Sequence, residues 1–167
     1  MQDKIHRVLF LSRRNSARSI LAEALLNRDG AGRFKAYSAG VLPPTTVEPV
    51  VFELLQSIRL PTAGLRSKHY REFSTPEAPD LDFVFTLSDT AAGEPMPEWP
   101  GMPVTAHWSC PDPVLLDGKD WEKKQAFGKV MTELERRLRV FANLPFSSLD
   151  RMSLKAHVDE IGKSQAP

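Results

Sequence analysis

The sequence predicts a single doubly wound α/β domain, with a parallel four-stranded sheet and helices on both faces. Three observations carry this. Short apolar runs alternate with longer segments of helical period along most of the chain. The two most apolar runs, Val8-Leu9-Phe10-Leu11 and Leu81-Asp82-Phe83-Val84-Phe85-Thr86-Leu87, suit strands covered on both faces. The 167 residues, 41% of them hydrophobic, amount to one ordinary domain, enough chain to bury a core without disulfides or metals.

Taken in order, Ile5 to Leu11 is the first strand, ending at a polar, basic turn. A helix follows from Arg18 to Asn27, with Ile20, Leu21, Ala24 and Leu25 at helical spacing and Asp29-Gly30 and Gly32 closing it. Phe34 to Ser38 alternates as a second strand, punctuated by Ser38-Ala39-Gly40 and a Pro-rich turn at Pro43-Pro44. Glu48 to Ile58 presents Val50, Val51, Leu54, Leu55 and Ile58 on one helical face. Leu81 to Leu87 is the third strand, Ser88-Asp89-Thr90 a helix start or turn, and Val104 to Trp108 a shorter fourth strand. Phe127, Val130, Met131, Leu134, Leu138 and Phe141 recur every three or four residues, which predicts a long core helix from about Lys119 to Phe141. Pro145 ends it, and Leu149 to Ile161 forms a last short helix. The domain proper is set at residues 1–145, with 146–167 as a helical extension packed on it.

Composition narrows the functional classes. With 22 Lys and Arg against 21 Asp and Glu, the chain has the balance of a globular protein. No apolar run reaches the roughly 18 residues a bilayer span needs, and Met1-Gln2-Asp3-Lys4 leads into the first strand without a signal-peptide pattern, so a cytoplasmic address is expected. Charge is uneven. Residues 1–40 carry 8 basic and 3 acidic side chains, whereas residues 72–122 carry one basic and 11 acidic. Such a contrast suits solvated faces and also allows an anion site near the N-terminus. The basic residues cluster around one short segment rather than forming a stripe with aromatics, so nucleic acid is not expected. A single cysteine, Cys110, excludes an internal disulfide framework, a multi-thiolate zinc site and a relay between two thiols of this chain.

In open α/β sheets ligands bind outside the carboxyl ends of strands. Here the first strand runs into Ser12-Arg13-Arg14-Asn15-Ser16-Ala17-Arg18-Ser19 before the helix begins. A short loop in that place turns backbone N–H groups inward, and the helix N-terminus adds partial positive charge. Arg18 offers a planar fork to two oxygens of a tetrahedral oxyanion. The ligand expected from this pattern is phosphate-like. The bland reading stays open beside it: small polar residues and arginines also fill exposed turns and cap helices.

Val8-Leu9-Phe10-Leu11-Ser12-x-x-Asn15-Ser16-Ala17-Arg18-Ser19 resembles the signature loop of the low-molecular-weight protein tyrosine phosphatase family and, more closely, its thioredoxin- or glutaredoxin-coupled arsenate reductase branch. The resemblance continues through Ser38-Ala39-Gly40, Leu65-Arg66-Ser67-Lys68, Asp82-Phe83-Val84-Phe85-Thr86, Trp99-Pro100-Gly101 and His107-Trp108 with Pro111-Asp112-Pro113, and so spans most of residues 5–143. It implies a phosphatase-type anion loop in which a cysteine thiolate is the nucleophile, an arginine binds the oxyanion and an aspartate before proline is the general acid. Arg18 and Asp112 match. The cysteine position, six residues before Arg18, is Ser12.

That departure changes the chemistry. An amide nest and helix dipole pull a thiol pKa from about 8.5 down to roughly 3.5–7.5, but an alcohol is too weak an acid to be ionised by the same field. His6, His69, His107 and His157 offer no motif that sets a base against Ser12. The resemblance also implies resolving cysteines near Ser88 and Met96, and neither is a thiol. An oxyanion-binding protein of impaired catalysis is therefore expected, with catalytic positions Ser12, Arg18 and Asp112. The anion loop would comprise Arg13, Arg14, Asn15, Ser16, Ala17, Arg18 and Ser19, with Asn15 and Ser19 as its organisers. Two alternatives stand: an active phosphatase or arsenate reductase in which Ser12 was engineered from cysteine, and a non-catalytic interaction module using the acidic 72–122 stretch and the C-terminal helix. Arg13-Arg14 replaces the small residues of related loops, which implies either strain, if a left-handed backbone is needed there, or added anion affinity. Cys110, two residues before Asp112, reads as a relocated nucleophile or as a buried inert thiol. The partners expected are phosphate, arsenate or a phosphorylated ligand, with a protein partner for the interaction module. No cofactor, metal, nucleic acid or membrane is expected, and the sequence does not set an oligomeric state.

Overall fold

A computed structural model of the protein describes residues 4–42, 45–113 and 118–163. Strands β1 (His6–Ser12), β2 (Phe34–Gly40), β3 (Phe83–Thr86) and β4 (Val104–His107) form one parallel sheet in the order β2-β1-β3-β4. Helices α1 (Arg18–Asp29), α2 (Pro49–Ser57), α3 (Asp89–Ala92), α4 (Asp120–Ala142) and α5 (Arg151–Lys163) connect and follow the strands. The fold class is that read from the sequence. The Pro43-Pro44 turn lies outside the described residues.

Side-chain alternation along β1 builds two cores at once. Val8 and Phe10 point to one face and Leu9 and Leu11 to the other, all four fully buried. The first face is covered by Leu21 and Leu25 of α1, Val51 and Leu55 of α2, Leu134, Leu138 and Phe141 of α4, and Val158 and Ile161 of α5. The second face has a thinner cover: Val41, Phe73 of a 3-10 turn at Tyr70–Phe73, Leu81, Ala91 of the one-turn α3, and Trp99. Prolines explain the asymmetry. Pro76, Pro79, Pro95, Pro97, Pro100 and Pro103 punctuate the segments around this face, and a helix interior tolerates none of them.

Strand ends are set by pairing rather than by hydrophobicity. Ile5 is half-exposed and lies outside β1, whereas polar Ser12 closes the strand because it pairs with Gly40. The same pairing carries β2 two residues past Ser38. At the far edge, α5 covers β4: the Trp108 indole donates to the Val158 carbonyl at 2.9 Å, and Arg151 and Lys155 donate to the Pro103 and Thr105 carbonyls. Among the described residues no helix is long and apolar enough to cross a membrane.

Phe141 is the hub of the larger core. Its ring lies 5.0 to 5.8 Å from those of Phe34, Phe83, Phe85, Trp108 and Phe146, and it is fully buried. Phe141→Ala should lower unfolding free energy by about 3–5 kcal/mol. Urea unfolding should show the midpoint falling with an unchanged slope.

Candidate functional site

β1 lies between β2 and β3, so the strand order reverses there and leaves a crevice at the β1 carboxyl end. Residues 12–17 cross that crevice and enter α1 at Arg18. Four of the loop's carbonyl oxygens are engaged by residues outside it: Ser12 accepts from Val41 N at 3.2 Å, Arg13 from Leu42 N at 3.0 Å, Arg14 from the Ser67 hydroxyl at 2.8 Å, and Ser16 from Glu48 N at 2.9 Å. A peptide whose carbonyl points out points the next amide in. The amides of Arg13, Arg14, Ser16, Ala17, Arg18 and Ser19 have no acceptor among the described residues. Ala17, as N-cap, has no side chain to satisfy its own helix. These amides frame a cavity of about 210 Å³ walled by Ser12, the Arg13-Arg14 pair, Ser16, Ala17 and Arg18, with Asp112 facing them.

Two residues permit this path. A Cβ on Gly40 would lie 2.8 Å from the Arg14 carbonyl carbon and 2.9 Å from Asn15 N, so only glycine lets β2 pass behind the loop. The left-handed residue of the loop is Asn15, at φ 55°, a conformation asparagine adopts more readily than most. Neither Arg13 nor Arg14 has positive φ. The strain considered for that pair is therefore not present; Arg14 extends into solvent and Arg13 is partly buried.

Asn15 and Ser19 lie behind the cavity rather than on its wall, both fully buried. Their hydrogen bonds have a fixed direction. Lys68 N donates to Asn15 Oδ1 at 3.0 Å, so Asn15 Nδ2 is the group that donates to Ser19 Oγ at 2.7 Å. The remaining neighbour of Ser19 Oγ is Ser12 Oγ at 2.7 Å, and a buried hydroxyl proton needs an acceptor. Ser19 thus donates to Ser12, which also accepts from Asn15 N at 3.2 Å. With two hydrogen bonds accepted, Ser12 directs its own proton to the cavity. Behind this chain, Lys68 Nζ reaches Asn15 Oδ1 at 3.5 Å and Glu23 at 3.9 Å, and Glu23 accepts from the Ser38 hydroxyl at 2.7 Å. Burial lowers the Lys68 pKa, and the Glu23 charge opposes that shift.

Arg18 is the buried cation of the site, its side chain 7% exposed. It donates to the Cys110 carbonyl at 3.1 Å and pairs with Asp112 at 3.2 Å. Burial lowers its pKa from the ordinary arginine value, with Asp112 the largest opposing influence. Cys110 is buried against the core, and desolvation pushes its thiol pKa up to about 11. Of the two readings of Cys110, that is the environment of the inert thiol.

The histidines stay away from Ser12. His6 stacks between Phe34 and Phe146, His69 caps the 3-10 turn through Arg71 N, His107 bridges Thr86 and Asp89, and His157 is exposed on α5. Ser88 caps α3 by accepting from Ala91 N at 3.1 Å, and Met96 lies at the surface. Among the described residues no three His, Cys, Asp or Glu side chains gather as metal ligands would. Sequence reasoning did not assign Gly40, Ser67, Lys68 and Glu23 to the support of the loop. They lie 4 to 56 positions beyond Ser19 or Ser12 in the chain, and no local pattern ties them to it.

Two outcomes follow for the intact protein. Gly40→Ala should force β2 and the loop apart and cost about 1–3 kcal/mol of stability, read as a lower urea midpoint. Cys110 should resist an aromatic disulfide reagent at pH 8 and react at once in denaturant, because its thiolate is absent from the native state at that pH.

The low molecular weight phosphotyrosine protein phosphatase family matches residues 7–155. A protein named glutaredoxin arsenate reductase from Synechocystis is 27% identical over 132 residues, spanning 79% of this chain and 92% of that one. An arsenate reductase of Halalkalibacterium halodurans is 29% identical over 135 residues, spanning 81% and 94%. The crystal structure of arsenate reductase from Archaeoglobus fulgidus superposes with a TM-score of 0.64 at 27% identity, over 82% of this chain and 99% of that one. With the family match covering most of its length and the same β1-loop-α1 architecture in place, the chain belongs to the low molecular weight phosphotyrosine protein phosphatase family.

Proposed function

We propose that the protein binds a phosphate-like tetrahedral oxyanion at the β1–α1 loop and turns it over poorly or not at all. The observation that carries this reading is the set of loop amides at residues 13, 14 and 16–18 without an acceptor among the described residues, around one cavity that Arg18 also lines. Buried donors without acceptors are costly, and an anion satisfies several of them together, each charged hydrogen bond contributing about 1.5–3 kcal/mol. Arg13 and Arg14 at the rim raise the local concentration of anions.

Ser12 stands where the family's thiolate belongs, and it lacks a base. Its neighbours Ser19 and Asn15 N both donate to it, which eases loss of its proton but falls far short of ionising an alcohol that has no base beside it. Asp112 remains positioned as an acid, but an acid serves a leaving group only once a nucleophile has attacked. The relatives named arsenate reductase, one of them a glutaredoxin arsenate reductase, support arsenate as a ligand beside phosphate. Their reduction does not carry over, because the one thiol of this chain is the buried Cys110. Phosphate, arsenate or a phosphorylated partner would be held and released unchanged.

Calorimetric titration with phosphate and arsenate tests the pocket. The protein as it stands should bind both, and Arg18→Ala should weaken binding by about tenfold or more. Undetectable binding in both proteins defeats the reading. Turnover is tested with an aryl phosphate: slow or absent hydrolysis is expected, with Ser12→Cys restoring it. Brisk hydrolysis that disappears in Ser12→Ala would show serine catalysis instead.

A further inference from the structure

We infer that Asp112 makes the cavity selective for oxyanions that carry a proton, hydrogen phosphate and hydrogen arsenate, against sulfate, which carries none at neutral pH. The inference rests on the oxyanion reading of the loop and specifies its ligand. Nearly every polar group facing the cavity donates. The amides do so by geometry and the arginines by chemistry, and Ser12 already accepts twice and has only its proton to offer. The loop carbonyls that would otherwise accept are turned outward and engaged by Val41, Leu42, Ser67 and Glu48. Ser16 can adapt to either role. Among the described residues, Asp112 is the one lining side chain that, ionised, only accepts.

The carboxylate is also held in place. Its pairing with Arg18 at 3.2 Å, the bond from Arg18 to the preceding Cys110 carbonyl, and the Cys110 N donation to Leu87 O at 3.0 Å fix its segment against both α1 and β3. Pro111 and Pro113 on either side restrict the backbone further. An anion seated among the amides and gripped by Arg18 brings one oxygen to this carboxylate. A protonated oxygen donates to it. A bare oxygen meets like charge in a largely desolvated place. Hydrogen phosphate and sulfate carry the same charge of about two near neutral pH, so the three arginines treat them alike. The difference between the two ligands then falls on a single proton and its acceptor.

Titrations with phosphate, arsenate and sulfate at one pH near neutrality and constant ionic strength test this. Phosphate and arsenate should bind at least about tenfold more tightly than sulfate. Asp112→Asn, which offers an amide donor in the same space, should gain affinity for sulfate and lose it for phosphate, bringing the ratio near one. Asp112→Glu keeps an acceptor and should keep the preference. Thermal melting checks that each variant is folded, and Asp112→Ser replaces Asp112→Asn if the latter is not. Equal affinities in the unmodified protein overturn the selectivity while leaving the oxyanion loop standing. A preference that survives in the neutral variant also overturns it. No binding of any of the three anions by the unmodified protein overturns the loop reading and this inference together.

Discussion

The carbonyl oxygens of Ser12, Arg13, Arg14 and Ser16 all find donors on the far side of the loop, in residues 41, 42, 67 and 48. The geometry of the site depends on that constraint. A loop of six residues has few ways to satisfy its backbone. Once its acceptors are taken up behind it, its donors have only the crevice to face. The sheet makes this arrangement available, since β1 and β2 end in register at the Ser12–Gly40 pair and the chain just beyond Gly40 presents the Val41 and Leu42 amides to the loop. Glycine at position 40 is what allows the two backbones to approach. The path of the loop is thus a consequence of strand register and of one missing Cβ, with the α1 dipole pointing the same way.

A hydroxyl stands at the base of this loop where the family resemblance calls for a thiol, and the same surrounding donors have a different effect on each. The chain of donors from Lys68 N through Asn15 and Ser19 ends on the atom at position 12 whatever that atom is. Directed at a sulfur, such donors favour the thiolate, a negative charge that attacks an incoming ligand and also repels it. Directed at a hydroxyl oxygen, they saturate its lone pairs and leave a neutral donor aimed at the ligand. One network serves two ends. In the first it makes a nucleophile, and in the second it adds one more hydrogen bond to a binding pocket. The same holds for Ser88, which caps α3 with its oxygen where the family resemblance calls for a thiol.

Much of this was legible in the sequence, and for stated physical reasons. Continuous apolar runs marked the strands buried on both faces, and the three-to-four spacing from Phe127 to Phe141 marked α4, because burial leaves a periodic trace in the residues themselves. The strand-loop-helix junction with Arg18 at the helix entrance pointed to the cavity that the fold contains. What the sequence did not reveal is long-range. Lys68 and Ser67 reach the loop from more than fifty residues away, and nothing in Arg66-Ser67-Lys68 announces that one side chain will take the Arg14 carbonyl while its neighbour orients Asn15. The left-handed residue was sought at Arg13-Arg14 and lies at Asn15, because the turn is completed one step later, where a short amide side chain can fold back under the loop. The thin cover of the second sheet face was equally hidden: Phe73, Leu81 and Trp99 are isolated apolar residues in proline-rich stretches, and only their convergence on Leu9 and Leu11 makes them a core.

Arg18 ties the two halves of the site into one unit. A guanidinium with a side chain 7% exposed has lost most of its water, and a buried charge is tolerated only when paired and hydrogen-bonded. The 110–112 segment supplies both, with the Cys110 carbonyl and the Asp112 carboxylate, across 92 residues of chain. That segment therefore serves the fold as well as the ligand: it neutralises Arg18 when the cavity is empty and leaves the guanidinium's other donors free for an oxyanion. Such a pair holds its own geometry independently of the residue at position 12. Arg18 is needed to anchor the 110–112 segment and Asp112 to compensate Arg18, so each is held by the cost of leaving the other alone. A pocket assembled from mutually dependent parts keeps its shape whatever atom stands at position 12.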